Sequence, residues 1–223
     1  MNHVELAAAA EDRSRFYWWL AGWVMGPPSA EQFDIIRAMD ATTELATPAL
    51  TTALRGMIEA ARGVPGAQRE TRLGVEYTRL MGGLMQDRAP PPPYEGVWRE
   101  DQLMGEVTLA VIEAYQDAGY ADIDPEAGPQ DHLGVELKFI SLLALAEHEA
   151  WRAEDRPAAL ARLDEQRVFL ERHLLAWVPR WAARVAQETG EPFYRHLAAL
   201  IVAFLENDRN YLTQASTDFD IAA

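Results

Sequence analysis

The chain has 223 residues, 49% of them apolar, and a formal charge of −15 from 35 acidic and 20 basic side chains. The apolar share excludes an intrinsically disordered chain, and the negative charge disfavours binding to the phosphate backbone of nucleic acid. Because cysteine is absent, disulfides, thiolate nucleophiles and cysteine-ligated metals are excluded as well.

The N-terminal segment does not resemble a secretory signal peptide. Its apolar runs are interrupted by Glu11 and Asp12, and acidic residues stand where a signal peptide carries a basic region. No stretch approaches the roughly 20 apolar residues that a transmembrane helix requires. We therefore expect a cytoplasmic protein without stable membrane insertion.

Helical patterns begin in the first half of the chain. Ser29 precedes Gln32 by three residues, which is the capping-box pattern of a helix start. Thr47 and Pro48 predict the start of another helix, and Gly63 predicts its end. The next helix has apolar residues at three- and four-residue steps, at Leu73, Tyr77, Leu80, Met81 and Leu84.

Four consecutive prolines, at positions 90–93, follow this helix and cannot themselves be helical. A second periodic segment ends at Gly119. Residues 120–130 are acidic and contain two prolines, so they predict a loop and a possible hinge between two subdomains. Asp131 is expected to cap the next helix, which is the most apolar and should be central.

Prolines mark the remaining boundaries. Pro157 opens a helix that should break before Pro179, and Pro192 opens the last long helix. Residues 213–223 are expected to form a loose tail. Because alternating β-branched runs are absent, the sequence predicts an all-α fold, a single helical bundle of about eight or nine helices over residues 1–223.

Catalytic motifs are absent. No nucleophile elbow or phosphate-binding loop is present, and Lys138 is the single lysine. His148 begins a zinc-protease pattern, but Arg152 stands where the second histidine belongs. His132 and Glu136 could chelate a metal or form an ordinary pair one helical turn apart, and the ordinary pair is favoured because further ligands are lacking. The residues point to a binding protein that is not an enzyme.

Three segments in order carry a family resemblance. They are "YTRLMGGLMQDRAPPPPYEGVW", "GPQDHLGVELKFISLLALA" and "FLERHLLAWVPRWAARVAQETGEPFYRHLAALIVAFLE". Together they resemble the TorD/DmsD family of redox-enzyme maturation chaperones, to which the NarJ proteins are related. The resemblance implies a cytoplasmic, all-helical chaperone that binds the twin-arginine signal peptide, and sometimes the body, of a molybdopterin-containing catalytic subunit. It would delay Tat export until the molybdenum cofactor is inserted.

The resemblance also implies a peptide-binding site. Its candidate residues are Tyr77, Leu80 and Met81 on a helix, Tyr94, Glu95 and Trp98 in the proline loop, and Pro129, Asp131 and His132 at the second motif. Glu95 and Asp131 are expected to meet the arginines, with aromatic and aliphatic side chains beside them. The prolines are expected to act as a stiff strut for this loop.

The chain departs from the family pattern at three positions. Met81 stands where phenylalanine is usual, Gly96 where serine is usual, and Gly128 where a glutamate is usual. Two alternatives stay open: an assembly factor of the NarJ type that acts only on the enzyme body, and a switch with weak GTP binding. We expect no other cofactor and no metal, and either a monomer or a domain-swapped homodimer.

Overall fold

The computed structural model describes residues 2–82, 89–121 and 123–220, and these residues form helices without any β-strand. The all-α prediction is confirmed. The α-helices of the described chain are α1 (His3–Met25), α2 (Ala30–Ala38), α3 (Pro48–Arg62), α4 (Val75–Met81), α5 (Glu95–Glu100), α6 (Glu106–Asp117), α7 (Leu133–Arg152), α8 (Arg156–Phe169), α9 (Leu175–Glu188) and α10 (Pro192–Asp220). Their number is close to the predicted eight or nine, and the short α5 lies in the segment interpreted as a loop.

The predicted helix starts of the first half are confirmed. Ser29 and Gln32 form a reciprocal capping box at α2, with each side chain bonded to the other residue's backbone N–H. The Thr47 side chain accepts from the backbone of Leu50 at 3.3 Å, and Pro48 follows as the first residue of α3. The sequence predicts these helix starts because each capping hydrogen bond joins residues only three positions apart.

Two predicted boundaries of the second half are wrong. The helix does not break at Pro179, which lies inside α9, while a π-helical turn at Leu170–Leu174 joins α8 to α9. Trp177 and Trp181 on either side of the proline are fully buried, so their packing outweighs the lost backbone hydrogen bond. The expected loose tail also continues as α10 to Asp220.

The chain divides into two compact units. Within the described residues, unit 1 draws on segments 1–25, 94–176 and 208–223, and unit 2 on 26–93 and 177–207. The predicted hinge at 120–130 is therefore not a boundary, since it lies inside unit 1. Gln130 holds this loop by accepting from the backbone of Ile123 and donating to the carbonyls of Asp124 and Gly128.

Unit 1 is built around α7, which packs against α1 and α8 as its apolar sequence predicted. A buried polar network joins these helices at Arg13 of α1. Its guanidinium donates to Asp208 of α10 at 2.5 Å, to Glu147 of α7 at 2.8 Å and to Gln166 of α8. The hydroxyl of Tyr17 also donates to Asp208, at 2.6 Å.

Unit 2 places the first motif helix, α4, beside the start of α10. Glu76 accepts from Arg79 and from the hydroxyl of Thr189, and the Tyr194 hydroxyl donates to the Leu73 carbonyl at 2.6 Å. Gly56 allows a close approach here, since a Cβ at this position would lie 2.3 Å from the His196 ring. None of the described helices combines the length and hydropathy needed to cross a membrane.

Candidate peptide-binding site

The proline loop and the second motif meet in unit 1. The backbone N–H of Glu95 donates to the Asp131 carbonyl at 2.9 Å, and Tyr94 forms an isolated antiparallel bridge with His132. The rings of Tyr94 and His132 stack edge to face, with centroids 5.0 Å apart. Two motifs separated by more than thirty residues are thus joined through their backbones.

Asp131 is a buried clamp between helices. Its Oδ2 accepts from the Gly96 backbone at 2.9 Å and from the Thr108 hydroxyl at 3.0 Å. It does not cap α7 as predicted; that position belongs to His132, whose Nδ1 accepts from the Gly134 backbone at 3.1 Å. Burial raises the pKa of Asp131 although both hydrogen bonds act in the opposite direction.

Glu95 is fully buried and already engaged within the chain. Its carboxylate accepts from Arg99, one turn further along α5, and from Nδ1 of His173 at 2.9 Å. His173 in turn stacks on Phe169, with centroids 4.6 Å apart. The expectation that Glu95 and Asp131 face arginines of a peptide therefore conflicts with their burial; in this structure both carboxylates position α5.

The predicted site residues where the two motifs meet include three that are partly exposed, and these are aromatic or apolar. Tyr94, Trp98 and Pro129 are each half-buried, so part of each side chain faces solvent. His132 is nearly buried, and burial together with the nearby positive charge of Lys138 lowers its pKa to about 4. The cluster thus offers a neutral, largely apolar surface to a ligand.

The remaining predicted residues belong to unit 2. Leu80 and Met81 are buried there, and Tyr77 is half-buried. Leu84, which completes their stripe in the sequence, falls outside the described residues. Peptide binding by all nine candidates stays a prediction.

Two departures from the family pattern have a structural reason. A Cβ on Gly96 would lie 2.7 Å from the Gln102 carbonyl and 3.0 Å from Asp131 Oδ2, so this tight packing leaves no room for a side chain. Gly128 has φ 80° and ψ −132°, a conformation that residues with a side chain rarely adopt. Glycine at 128 therefore fits a backbone conformation that a glutamate would rarely adopt.

A cleft of about 990 Å³ in unit 1 adjoins this cluster, and we call it the α6–α8 cleft. Arg99 and His173, which hold Glu95, form part of its lining. Its partly exposed apolar side chains include Ala110, Ala114 and Val168, which we call the floor, while Phe139, Leu143 and Phe169 lie almost fully buried behind them. Its walls carry six carboxylates against two arginines: Glu100, Glu106, Glu113, Asp117, Asp164 and Glu165 against Arg99 and Arg172. An apolar floor with acidic walls suits a chain that is both basic and apolar.

Sequence reasoning missed this cleft. Glu106, Glu113 and Asp117 follow one another at seven and four residues, so they share one face of α6. The sequence therefore predicts an acidic stripe along α6. It does not predict that α8 lies opposite this stripe, because that placement depends on contacts between distant parts of the chain.

Fold and site together define an all-helical binding protein with an acidic, peptide-sized cleft. Among the described residues, no three or more histidine, aspartate or glutamate side chains converge to hold a metal ion. A family model described as nitrate reductase delta subunit matches residues 37–183. The chain therefore belongs to the nitrate reductase delta subunit family, as the TorD and NarJ motifs indicated.

The relatives are named as chaperones. Chaperone protein TorD of Aeromonas salmonicida (strain A449) is 30% identical over 218 residues, which cover 94% of this chain and 95% of that protein. Chaperone protein TorD of Vibrio cholerae serotype O1 (strain ATCC 39541 / Classical Ogawa 395 / O395) is 24% identical over 216 residues, covering 94% and 96%. This chain is accordingly a chaperone and not an enzyme.

Among solved structures, a crystal structure of an Archaeoglobus fulgidus protein described as a redox enzyme maturation protein is similar to this chain. The two share 18% identity with a TM-score of 0.45, over 90% of this chain and 93% of that one.

Proposed function

We propose that this chaperone assists the maturation of a molybdenum-dependent oxidoreductase in the cytoplasm by binding the twin-arginine signal peptide of its catalytic subunit. Binding would keep the subunit from Tat export until the molybdenum cofactor is inserted. The observation that carries the proposal is the α6–α8 cleft, where acidic walls and an apolar floor adjoin the two family motifs.

The chemistry of the cleft fits the chemistry of such a peptide. A twin-arginine signal has a basic region followed by an apolar stretch, so its receptor needs carboxylates close to apolar surface. Trp98 is half-buried and precedes Arg99 of the cleft lining in the sequence. The formal charge of −15 adds long-range attraction for a basic segment.

Co-purification tests the proposal. Molybdoenzyme catalytic subunits from the same organism are co-expressed with the chaperone, each with and without its signal peptide. We expect one subunit to co-purify, and deletion of its signal peptide to abolish or strongly weaken the interaction. Isolated signal peptide should bind with an affinity that falls as salt is added.

The same co-purification experiment distinguishes signal-peptide binding from binding to the enzyme body alone. A match to the nitrate reductase delta subunit model also fits an assembly factor that holds only the enzyme body. In that case the subunit without its signal peptide would co-purify as well as the full-length subunit. Failure of every molybdoenzyme subunit to co-purify would contradict both versions.

A further inference from the structure

Three carboxylates on α6 line the α6–α8 cleft without a partner. Glu106, Glu113 and Asp117 are exposed, and none has an ion pair or side-chain hydrogen bond within the described part of the chain. The carboxylates of the facing helix differ, since Asp164 pairs with Arg167 and Glu165 with Arg162. The carboxylates of α6 that line the cleft are therefore not neutralised by ion pairs within the described part of the chain.

The arrangement at the end of α6 is unfavourable for the isolated protein. Glu113 and Asp117 lie one turn apart, where like charges repel. Asp117 is also the last residue of α6, and the C-terminal end of a helix carries partial negative charge that favours cations. Among the described residues, the Arg162 guanidinium bonds the C-cap carbonyl of Ala118, but neither Glu113 nor Asp117 has a cationic partner of its own.

The two ends of the cleft differ in charge. Arg162 of α8 donates to the Ala118 carbonyl at 3.3 Å, so the C-terminal end of α6 faces the middle of α8. Arg99 and Arg172 lie together at the opposite end, where Arg99 donates to the Arg172 carbonyl. The C-terminal end of α6 is thus the more acidic end, because Arg162 there is paired with Glu165 and leaves Glu113 and Asp117 unpaired.

Guanidinium groups fit this end better than a metal ion does. Within the described ranges no three acidic or histidine side chains converge, whereas Ca²⁺ requires six or more oxygen ligands around one point. Glu113 and Asp117 are separated by about 6 Å along the helix axis, which leaves room for separate planar guanidinium groups. Arginine also pairs with carboxylates through two parallel hydrogen bonds.

We infer that Glu113 and Asp117 bind the consecutive arginines of the signal peptide, while its apolar stretch lies along the cleft floor at Val168. This assignment rests on the proposed function and deepens it. It moves the arginine contacts away from Glu95 and Asp131, which are buried and bonded within the chain. The arginine partners are still carboxylates, but the residues that supply them are different.

A double-mutant cycle tests the assignment. The probe is a fluorescein-labelled synthetic peptide in which two consecutive arginines precede an apolar stretch, and a second probe has both arginines replaced by glutamine. Each is titrated by fluorescence anisotropy against the full chain and against the double variant Glu113→Gln/Asp117→Asn. The matched control is Glu31→Gln/Asp34→Asn on α2, which removes the same charge from exposed positions of another helix.

We expect the α6 variant to bind the arginine peptide about tenfold or more weakly, corresponding to charge-assisted hydrogen bonds lost on two carboxylates. With the glutamine peptide the α6 variant and the wild type should bind equally, whereas the α2 control should behave as wild type with both peptides. Thermal unfolding should show that the α6 variant is no less stable, since the substitution removes a repulsive pair.

The remaining outcomes distinguish a failure of the residue assignment from a failure of the proposed function. Two results would overturn the assignment while the proposed function stands. In the first, the arginine peptide binds the wild type and the α6 variant equally. In the second, the binding free energy lost by substituting the two carboxylates simply adds to that lost by replacing the two arginines. If the wild type binds neither peptide in this assay nor any signal peptide in co-purification, the proposed function fails and the assignment fails with it.

Discussion

Burial decides what each carboxylate of the candidate site can do. Glu95 and Asp131 have the residue type expected of an arginine receptor, yet both are fully buried and accept hydrogen bonds from their own chain. A carboxylate in this state holds α5 against α6 and α7. Exposed carboxylates such as Glu113 keep their acceptor capacity for a ligand.

His132 provides a pH-dependent test of the motif junction. Its pKa is lowered to about 4 in the folded chain, against 6.5 for an ordinary histidine, chiefly by burial and then by Lys138, with Asp124 opposing. The unfolded chain takes up the proton near pH 6.5 and the folded chain only near pH 4. Stability from this residue is therefore complete above pH 6.5 and is lost as the pH falls towards 4, by about 3 kcal/mol in total.

The variant His132→Asn isolates this contribution. Asparagine is a good N-cap, so the bond to the Gly134 backbone can be kept while the titration is removed. Urea unfolding measured at several pH values between 7 and 4 should show a shallower loss of stability for the variant than for the wild type. Parallel curves for the two proteins would contradict a neutral, buried His132.

At the scale of helices, short-range signals succeeded and packing-dependent features did not. The capping box at Ser29 and the cap at Thr47 were predicted because each involves residues three apart. The continuation of α9 through Pro179 was missed, since it depends on the burial of Trp177 and Trp181. The continuation of α10 into the expected tail was missed for the same reason: Ala215 is buried, although its neighbours Gln214 and Ser216 are polar.

The network around Arg13 should be essential to the packing of α1 against α7, α8 and α10. The substitution Arg13→Met leaves the carboxylates of Asp208 and Glu147 buried without their guanidinium partner. We expect a loss of about 3–5 kcal/mol in the free energy of unfolding, the range for one partner removed from a buried ion pair. Chemical denaturation followed by circular dichroism measures it.

Arg15 on the same helix provides the control. It pairs with Glu11 at 2.5 Å, but its side chain is 72% exposed. Exposed ion pairs contribute little, so Arg15→Met should change the free energy of unfolding by less than about 1 kcal/mol. Equal effects of the two substitutions would contradict a structural role for the buried network.

At the scale of the whole molecule, the sequence predicted the fold class and the family motifs but not how distant segments combine. Helical periodicity sufficed for the all-α fold, and the family resemblance led to Tyr94 and His132, which do meet. The division into two units was placed wrongly at 120–130, because each unit is assembled from separate parts of the chain. The α6–α8 cleft was missed on the same grounds.

The charge of the whole molecule leads to a last prediction, that the chaperone works without GTP. The chain carries a formal charge of −15, and the lining of the α6–α8 cleft repels a triphosphate. Its single lysine, Lys138, is engaged by Asp124 at 2.6 Å. Titration calorimetry with GTP and Mg²⁺ should therefore give no saturable heat, while the arginine peptide gives saturable heat under the same conditions. Saturable GTP binding that the α6 variant leaves unchanged would contradict this prediction and place a nucleotide site outside the cleft.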